Sequence, residues 1–373
     1  MKTILVILGT RPEAIKLAPV ILELRKDSAF KVLVCNTEQQ KELSNQTLGY
    51  FGITADFRLN VMLSNQTLAG VQARILNSLA DLYCNNQIDA TIIQGDTMSA
   101  FCGALASFYK RIPIFHIEAG LRSYDNFEPY PEEALRQMIA RIADLHFVPT
   151  QRAYMALVKE NIKEEKIFIT GNTVIDALEC LSDSVIKRAE KHLKNLHIEL
   201  NDKLVFITAH RRENFGERLE YILSAIIGLA QEFGDHQFVF SVHPNPNVSD
   251  RVFERLNGIF NVILTSPLDY PETICLIKSA KLILTDSGGI QEEAPTFGTP
   301  VLVMRYETER TEGIEAGFSR LVGADEYKIL KEAREILKQD REKTRLKSSR
   351  NPYGDGMSAL RIYLEIRNFK EMK

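Results

Sequence analysis

Short apolar runs of five to eight residues recur along this chain, and several of them stop at a charged or small polar group. Residues 3–10 (TILVILGT) run into Arg11, 91–96 (TIIQGD) end on Asp96, and 113–118 (PIFHIE) end on Glu118. Residues 204–210 (LVFITAH) end on His210, and 281–287 (KLILTDS) reach Ser287 just before Gly288 and Gly289. Segments of helical period lie between the runs, at 12–25, 67–83, 97–110 and 132–144 and again at 217–232 and 271–280. Further strand patterns fall at 237–242, 261–265 and 300–304. Such alternation is the βαβα signature of parallel sheets covered by helices. Ligands of open parallel sheets bind beyond the carboxyl ends of the strands. The arginine, the acids, the histidine and the glycine turn are therefore expected on one ligand-binding rim.

A chain of 373 residues exceeds one ordinary core. The pattern predicts an α/β fold of two Rossmann-like domains facing across a cleft, with parallel sheets flanked by helices. The first domain is expected over 1–170, rejoined by a C-terminal helix at 357–373, and the second over 171–356. The charged segment 326–349 reads as one solvated helix. A formal net charge of −3 gives no basic footprint for nucleic acid. No apolar stretch approaches the ~18–20 residues of a membrane span, and the first residues enter a strand pattern rather than a signal peptide. Five scattered cysteines (35, 84, 102, 180 and 275) without a CxxC pair suit reduced thiols. The expected setting is cytoplasmic, without a membrane partner or a structural metal.

The segment DSGGIQEE (286–293) sets a Ser-Gly-Gly turn between a strand and a helix. Such a turn offers close backbone approach and free N–H groups to a phosphate or diphosphate, although it also reads as an ordinary tight βα turn. Glu292 and Glu293 point about 100° apart on a helix, so only one of them can face a ligand, and it suits sugar hydroxyls. GTRPEAIK (9–16) is a second strand-to-helix junction, whose Arg11 and Lys16 could meet a diphosphate. Lys16 is equally readable as a surface residue. Neither GxGxxG nor GxxxxGK[ST] occurs, which removes the main sequence support for NAD-dependent and P-loop chemistry.

Asp96 and Glu118 end consecutive strand patterns, and Glu132 and Glu133 open a helix after a loop rich in aromatics and prolines. First-turn acids commonly serve only the helix dipole. Several carboxylates in one site, however, can divide acid and base roles among themselves. His210 and His243 each follow a strand pattern, where an imidazole can move a proton or bind phosphate. His116 lies inside an apolar run and reads as a core residue.

Taken together, GTRPEAIK (9–16), GDT (95–97), HIEAGLR (116–122), PYPEE (129–133), ITGNTVID (169–176), TAHRREN (208–214), HPNPNV (243–248), DSGGIQEEAP (286–295) and TER (308–310) closely resemble the bacterial non-hydrolysing UDP-N-acetylglucosamine 2-epimerases. The resemblance runs from the first strand pattern to NPYGDG (351–356). It implies a glycosyltransferase-B-like fold, a homodimer, and interconversion of UDP-GlcNAc and UDP-ManNAc without a cofactor. It also implies elimination of UDP to 2-acetamidoglucal and re-addition. By matched motif, Asp96, Glu118 and Glu132 are the acid/base carboxylates, with Lys16 and His210 near the diphosphate and glycosidic oxygen. Arg11, His243, Ser287, Gly288, Gly289, Glu293 and Arg310 correspond to the UDP site, Glu293 on the ribose.

The chain departs from the family at 39–41, where Gln-Gln-Lys replaces a frequent Gln-His-Arg linked to allosteric binding of a second UDP-sugar. Gln39, Gln40 and Arg211 are the remaining candidates for that role. Three other readings compete. A glycosyltransferase would not need the carboxylate set of the first half. A hydrolysing epimerase tends to lack the Pro-Glu-Ala found here at 12–14. A UDP-sugar sensor would have no reason to keep both sets of residues.

Overall fold

The computed structural model describes residues 1–63, 66–345 and 351–372. The chain divides into two compact units, Met1–Leu181 with Tyr353–Lys373, and Ser182–Pro352. The first holds a parallel sheet of β1 (Lys2–Leu8), β2 (Phe30–Asn36), β3 (Phe57–Arg58), β4 (Ala90–Gln94), β5 (Ile114–Ile117), β6 (Leu145–Val148) and β7 (Ile167–Ile169), in the order β3-β2-β1-β4-β5-β6-β7. The second holds β8 (Leu204–Ala209), β9 (Gln237–Val242), β10 (Val262–Thr265), β11 (Leu282–Thr285), β12 (Val301–Val303) and β13 (Ser319–Leu321), in the order β10-β9-β8-β11-β12-β13. Both orders reverse direction once, between β1 and β4 and between β8 and β11. That switch point is where an open α/β sheet leaves a crevice for ligands.

Burial explains why these runs are strands. Residues 4–8 of β1 and all of β4 are buried, as strands covered on both faces must be. Leu5, Ile7 and Ile93 pack with Ile75, Leu79 and Phe101 from the helices over one face. In the second unit, Val205, Ile207, Phe238 and Leu284 pack with Ile222, Ile226 and Ile329. Truncating any of these side chains to alanine costs about 2–5 kcal/mol, a large part of a domain's usual stability.

Helix Arg11–Leu24 begins with a capping box between Thr10 and Glu13, with Pro12 in its first turn. Helix Met98–Tyr109 begins at Thr97, whose hydroxyl accepts from Ala100 N at 3.0 Å. At the end of β1, a Cβ on Gly9 would stand 2.1 Å from Thr37 Oγ1 and 2.3 Å from Ser99 Oγ. Only glycine lets the three segments meet there.

The unit boundaries differ from those expected at 170/171 and 356/357. Helix Thr173–Cys180 packs against Arg11–Leu24, and Asn172 N donates to Tyr353 O at 2.7 Å, so both segments stay with the first sheet. The segment 326–349 is not one solvated helix either. Its helix stops at Leu337 because the apolar stripe Ile329, Ala333, Ile336 and Leu337, which is buried, ends there. A short helix, Arg341–Thr344, follows, and 346–349 lie outside the described residues. Among the described residues, no helix is long and apolar enough to cross a membrane.

Candidate active site

In the first unit every predicted rim residue follows the carboxyl end of a strand or opens a helix. Glu118 stands just past β5 in the left-handed region, with φ of 59°. Its carboxylate accepts from Lys16 Nζ and Gln94 Nε2, and from Asn172 Nδ2 at 3.4 Å. The Lys16–Glu118 pair is largely enclosed, so Lys16 is no surface residue. Asp96, two residues past β4, accepts from Arg136 Nε at 2.5 Å. The same guanidinium donates from Nη1 to Glu133 Oε2 at 3.0 Å.

Adjacent Glu132 and Glu133 take different places. Glu133 is wholly buried and accepts from the backbone of Ser123 (3.0 Å) and Tyr124 (3.3 Å), fixing the loop before its helix. Glu132, half-buried, opens helix Glu132–Ile142. Arg11 donates its backbone N–H to Gln40 Oε1 at 3.0 Å, and Gln39 Oε1 accepts from Ser99 Oγ at 2.9 Å. The two glutamines thus brace the turn after β1.

Two buried groups lie under this rim. Burial pushes the Glu13 carboxyl up to about 7, although Thr97, Thr10 and two backbone N–H groups all donate to it. His116 is a core residue, as expected; its Nε2 lies 2.8 Å from Gly95 O, and burial pulls its imidazole down to about 4. Burial with the neighbouring His116 takes His146 to about 3.

In the second unit His210 follows β8, His243 follows β9, and Asp286 and Ser287 follow β11. The imidazoles of His210 and His243 stack with centroids 6.1 Å apart. Asp286 is fully buried, which alone would raise its carboxyl. Hydrogen bonds from His210 Nδ1 and from the backbone of Arg211 and His210 hold it below the usual range instead. Burial with the charge of His210 lowers His243. Burial and the charge of Arg305 lower the Arg211 guanidinium.

The Ser287-Gly288-Gly289 turn starts a helix of six residues, Gly288–Glu293. Arg310 covers it, since a Cβ on Gly288 would lie 2.9 Å from Arg310 Cζ. Arg310 Nε donates to Glu292 Oε1 at 3.0 Å, and Thr308 Oγ1 to Gln291 Oε1 at 2.9 Å. Glu292 is thereby committed to Arg310, while Glu293, the residue expected on a ribose, is also buried. Sequence reasoning passed over Gln94, Arg136 and Asp286. Only Asp286 carried a signal, standing at a strand end beside the glycine turn.

A family model for UDP-N-acetylglucosamine 2-epimerase matches residues 22–367. The UDP-N-acetylglucosamine 2-epimerase of Salmonella typhimurium is 43% identical over 371 residues, covering 98% of this chain and 99% of that protein. The chain belongs to the UDP-N-acetylglucosamine 2-epimerase family. Within it, the Bacillus subtilis epimerase is 42% identical over 363 residues, 97% of this chain and 94% of its own. The crystal structure of the Neisseria meningitidis UDP-GlcNAc 2-epimerase bound to UDP-GlcNAc matches with a TM-score of 0.91 and 40% identity, over 99% of this chain and 100% of that one. The Methanocaldococcus jannaschii epimerase in complex with UDP-GlcNAc and UDP matches with a TM-score of 0.81 and 32% identity, again over 99% and 100%. Its two parallel-sheet domains make the chain an α/β protein of the glycosyltransferase-B-like class, as the sequence pattern predicts.

Proposed function

We propose that this chain is a non-hydrolysing UDP-N-acetylglucosamine 2-epimerase, interconverting UDP-GlcNAc and UDP-ManNAc. The observation that carries the reading is the enclosed group of Glu118, Lys16 and Gln94 beside Asp96, in a chain of this family. A simple glycosyl transfer has no use for so many acids at the strand ends of its first unit.

The C2 hydrogen of the sugar is not activated by a carbonyl, so inversion at C2 calls for elimination. A carboxylate takes the C2 proton, the C1–O bond breaks, and UDP leaves with the bonding electrons, giving 2-acetamidoglucal. UDP then returns to C1 while a proton reaches the opposite face of C2. Asp96, Glu118 and Glu132 are the proposed proton carriers. Lys16 and His210 stabilise charge on the departing diphosphate. Arg11, His243, Ser287, Gly288, Gly289 and Arg310 hold UDP, and Glu293 its ribose. Gln39, Gln40 and Arg211 are the proposed contacts of a second, activating UDP-sugar. The setting proposed is a cytoplasmic homodimer supplying ManNAc for a bacterial surface polysaccharide.

Incubating the protein with UDP-GlcNAc in D₂O is expected to place deuterium at C2 of both sugars, without added NAD or metal. Epimerised product that keeps its C2 hydrogen would exclude the elimination route.

A further inference from the structure

We infer that Glu13 is a positioning residue for the proposed reaction, its buried carboxylate tying the turn at the start of helix Arg11–Leu24 to the turn that carries Asp96. The inference rests on the reading of Lys16 and Asp96 given above.

Both carboxylate oxygens are occupied. Oε2 accepts from Gly9 N (3.0 Å), Thr10 N (2.8 Å) and Thr10 Oγ1 (2.8 Å), which is the local work of a capping box. Oε1 accepts from Thr97 Oγ1 at 2.7 Å, a contact that starting the helix does not require. Thr97 follows Asp96 directly and caps helix Met98–Tyr109. One buried carboxylate therefore joins the two turns flanking the switch point of this sheet.

The join matters because the helices on its two sides pack in different layers, with the bonds of Ser99 to Thr37 and Gln39 as a neighbouring tie. Helix Arg11–Leu24, which carries Lys16, packs against Lys41–Tyr50, Thr173–Cys180 and Ser358–Asn368. Helix Met98–Tyr109 packs against Leu68–Asn85 and Glu132–Ile142 instead. Lys16 and Asp96 thus belong to opposite layers, and the Glu13–Thr97 bond ties the turn that starts the Lys16 helix directly to the turn that carries Asp96. The second unit has the same device. There Asp286, from the turn after β11, accepts from the turn after β8. A carboxylate buried at this depth also works against stability once ionised, so helix capping alone does not explain it. An exposed cap would serve the helix as well.

Glutamine at position 13 keeps at most a reversed and uncharged link. If its oxygen keeps the Gly9 and Thr10 donors, its amide turns N–H groups toward Thr97 Oγ1, and Thr97 loses its acceptor. The test measures kcat and KM of the full chain by C2 exchange in D₂O for Glu13→Gln, Thr97→Val, their double variant, Thr97→Ser and Asp96→Asn, with folding followed by circular dichroism. Glu13→Gln and Thr97→Val are each expected to lower kcat roughly 10- to 100-fold, the loss that follows a misplacement near 1 Å. KM should change less than about threefold, by the same argument that the binding contacts themselves remain. The double variant should be no slower than the worse single one, and Thr97→Ser should restore the rate.

A Glu13→Gln rate near wild type, or losses that multiply in the double variant, overturns the inference. Should Glu13→Gln fail to fold, Thr97→Val at the wild-type rate overturns it equally. If Asp96→Asn turns over normally, the reading of Asp96 fails instead, and the two failures are told apart within one set of measurements.

Discussion

Asp286 Oδ1 lies 2.9 Å from His210 Nδ1, while its Oδ2 accepts from the backbone N–H groups of both His210 and Arg211 at 2.9 Å. The carboxylate fixes the imidazole as the tautomer protonated on Nδ1, which leaves Nε2 for the ligand. Asn214 Nδ2 donates to the same Oδ2 at 3.0 Å, so one group orients a side chain and anchors a turn together.

Asp286→Asn is expected to lower kcat roughly 100-fold or more, since an amide presents the wrong partner to Nδ1–H. Nitrogen-15 spectra of labelled protein provide the check that a general loss of structure would not mimic. Wild-type His210 should show a protonated Nδ1 at alkaline pH, and the variant should lose that signature. A variant that keeps both tautomer and rate would show that His210 is oriented by other means.

The acid set makes a separate prediction. Asp96→Asn, Glu118→Gln and Glu132→Gln should each reduce turnover roughly 10²–10⁴-fold, the usual contribution of a positioned proton carrier. UDP affinity, measured by calorimetry, should stay within a few-fold because these side chains belong to the first unit's rim. Full activity in all three variants would leave the proposed elimination without its acids.

How far the site could be read in advance follows from how local its signals are. Asp96, Glu118 and His210 were legible because each stands one or two residues past a strand whose apolar run announces it. Asp286 escaped because its role depends on β8 and β11 lying side by side, a pairing made across more than seventy residues of sequence. Arg136 escaped for a similar reason, as its bond to Asp96 spans 40 positions. Glu13 escaped because an acid in a first helical turn is ordinary, and only the Thr97 contact sets it apart. The division of the chain falls near 181 because helix Thr173–Cys180 packs on Arg11–Leu24, an allegiance that periodicity does not encode.

The buried imidazoles of His116 and His146, 6.4 Å apart, make the fold sensitive to acid. Burial holds them at about 4 and about 3 in the folded chain, against 6.5 for a free histidine. Below 6.5 the unfolded chain therefore takes up protons that the folded chain refuses. Their stabilisation is complete above 6.5 and is withdrawn as the pH falls towards 4, by roughly 2 kcal/mol per histidine between pH 6.5 and 5. Glu13 has the opposite sign. Raised from 4.5 to about 7, it favours the folded state most below 4.5 and withdraws that support as the pH rises. The histidine effect is thus isolated by comparing wild type with His146→Leu, in which Glu13 is unchanged. Urea unfolding at pH 7 and pH 5 should show the variant losing roughly 2 kcal/mol less than wild type on acidification. Equal losses in the two proteins would mean that His146 is protonated in the folded state.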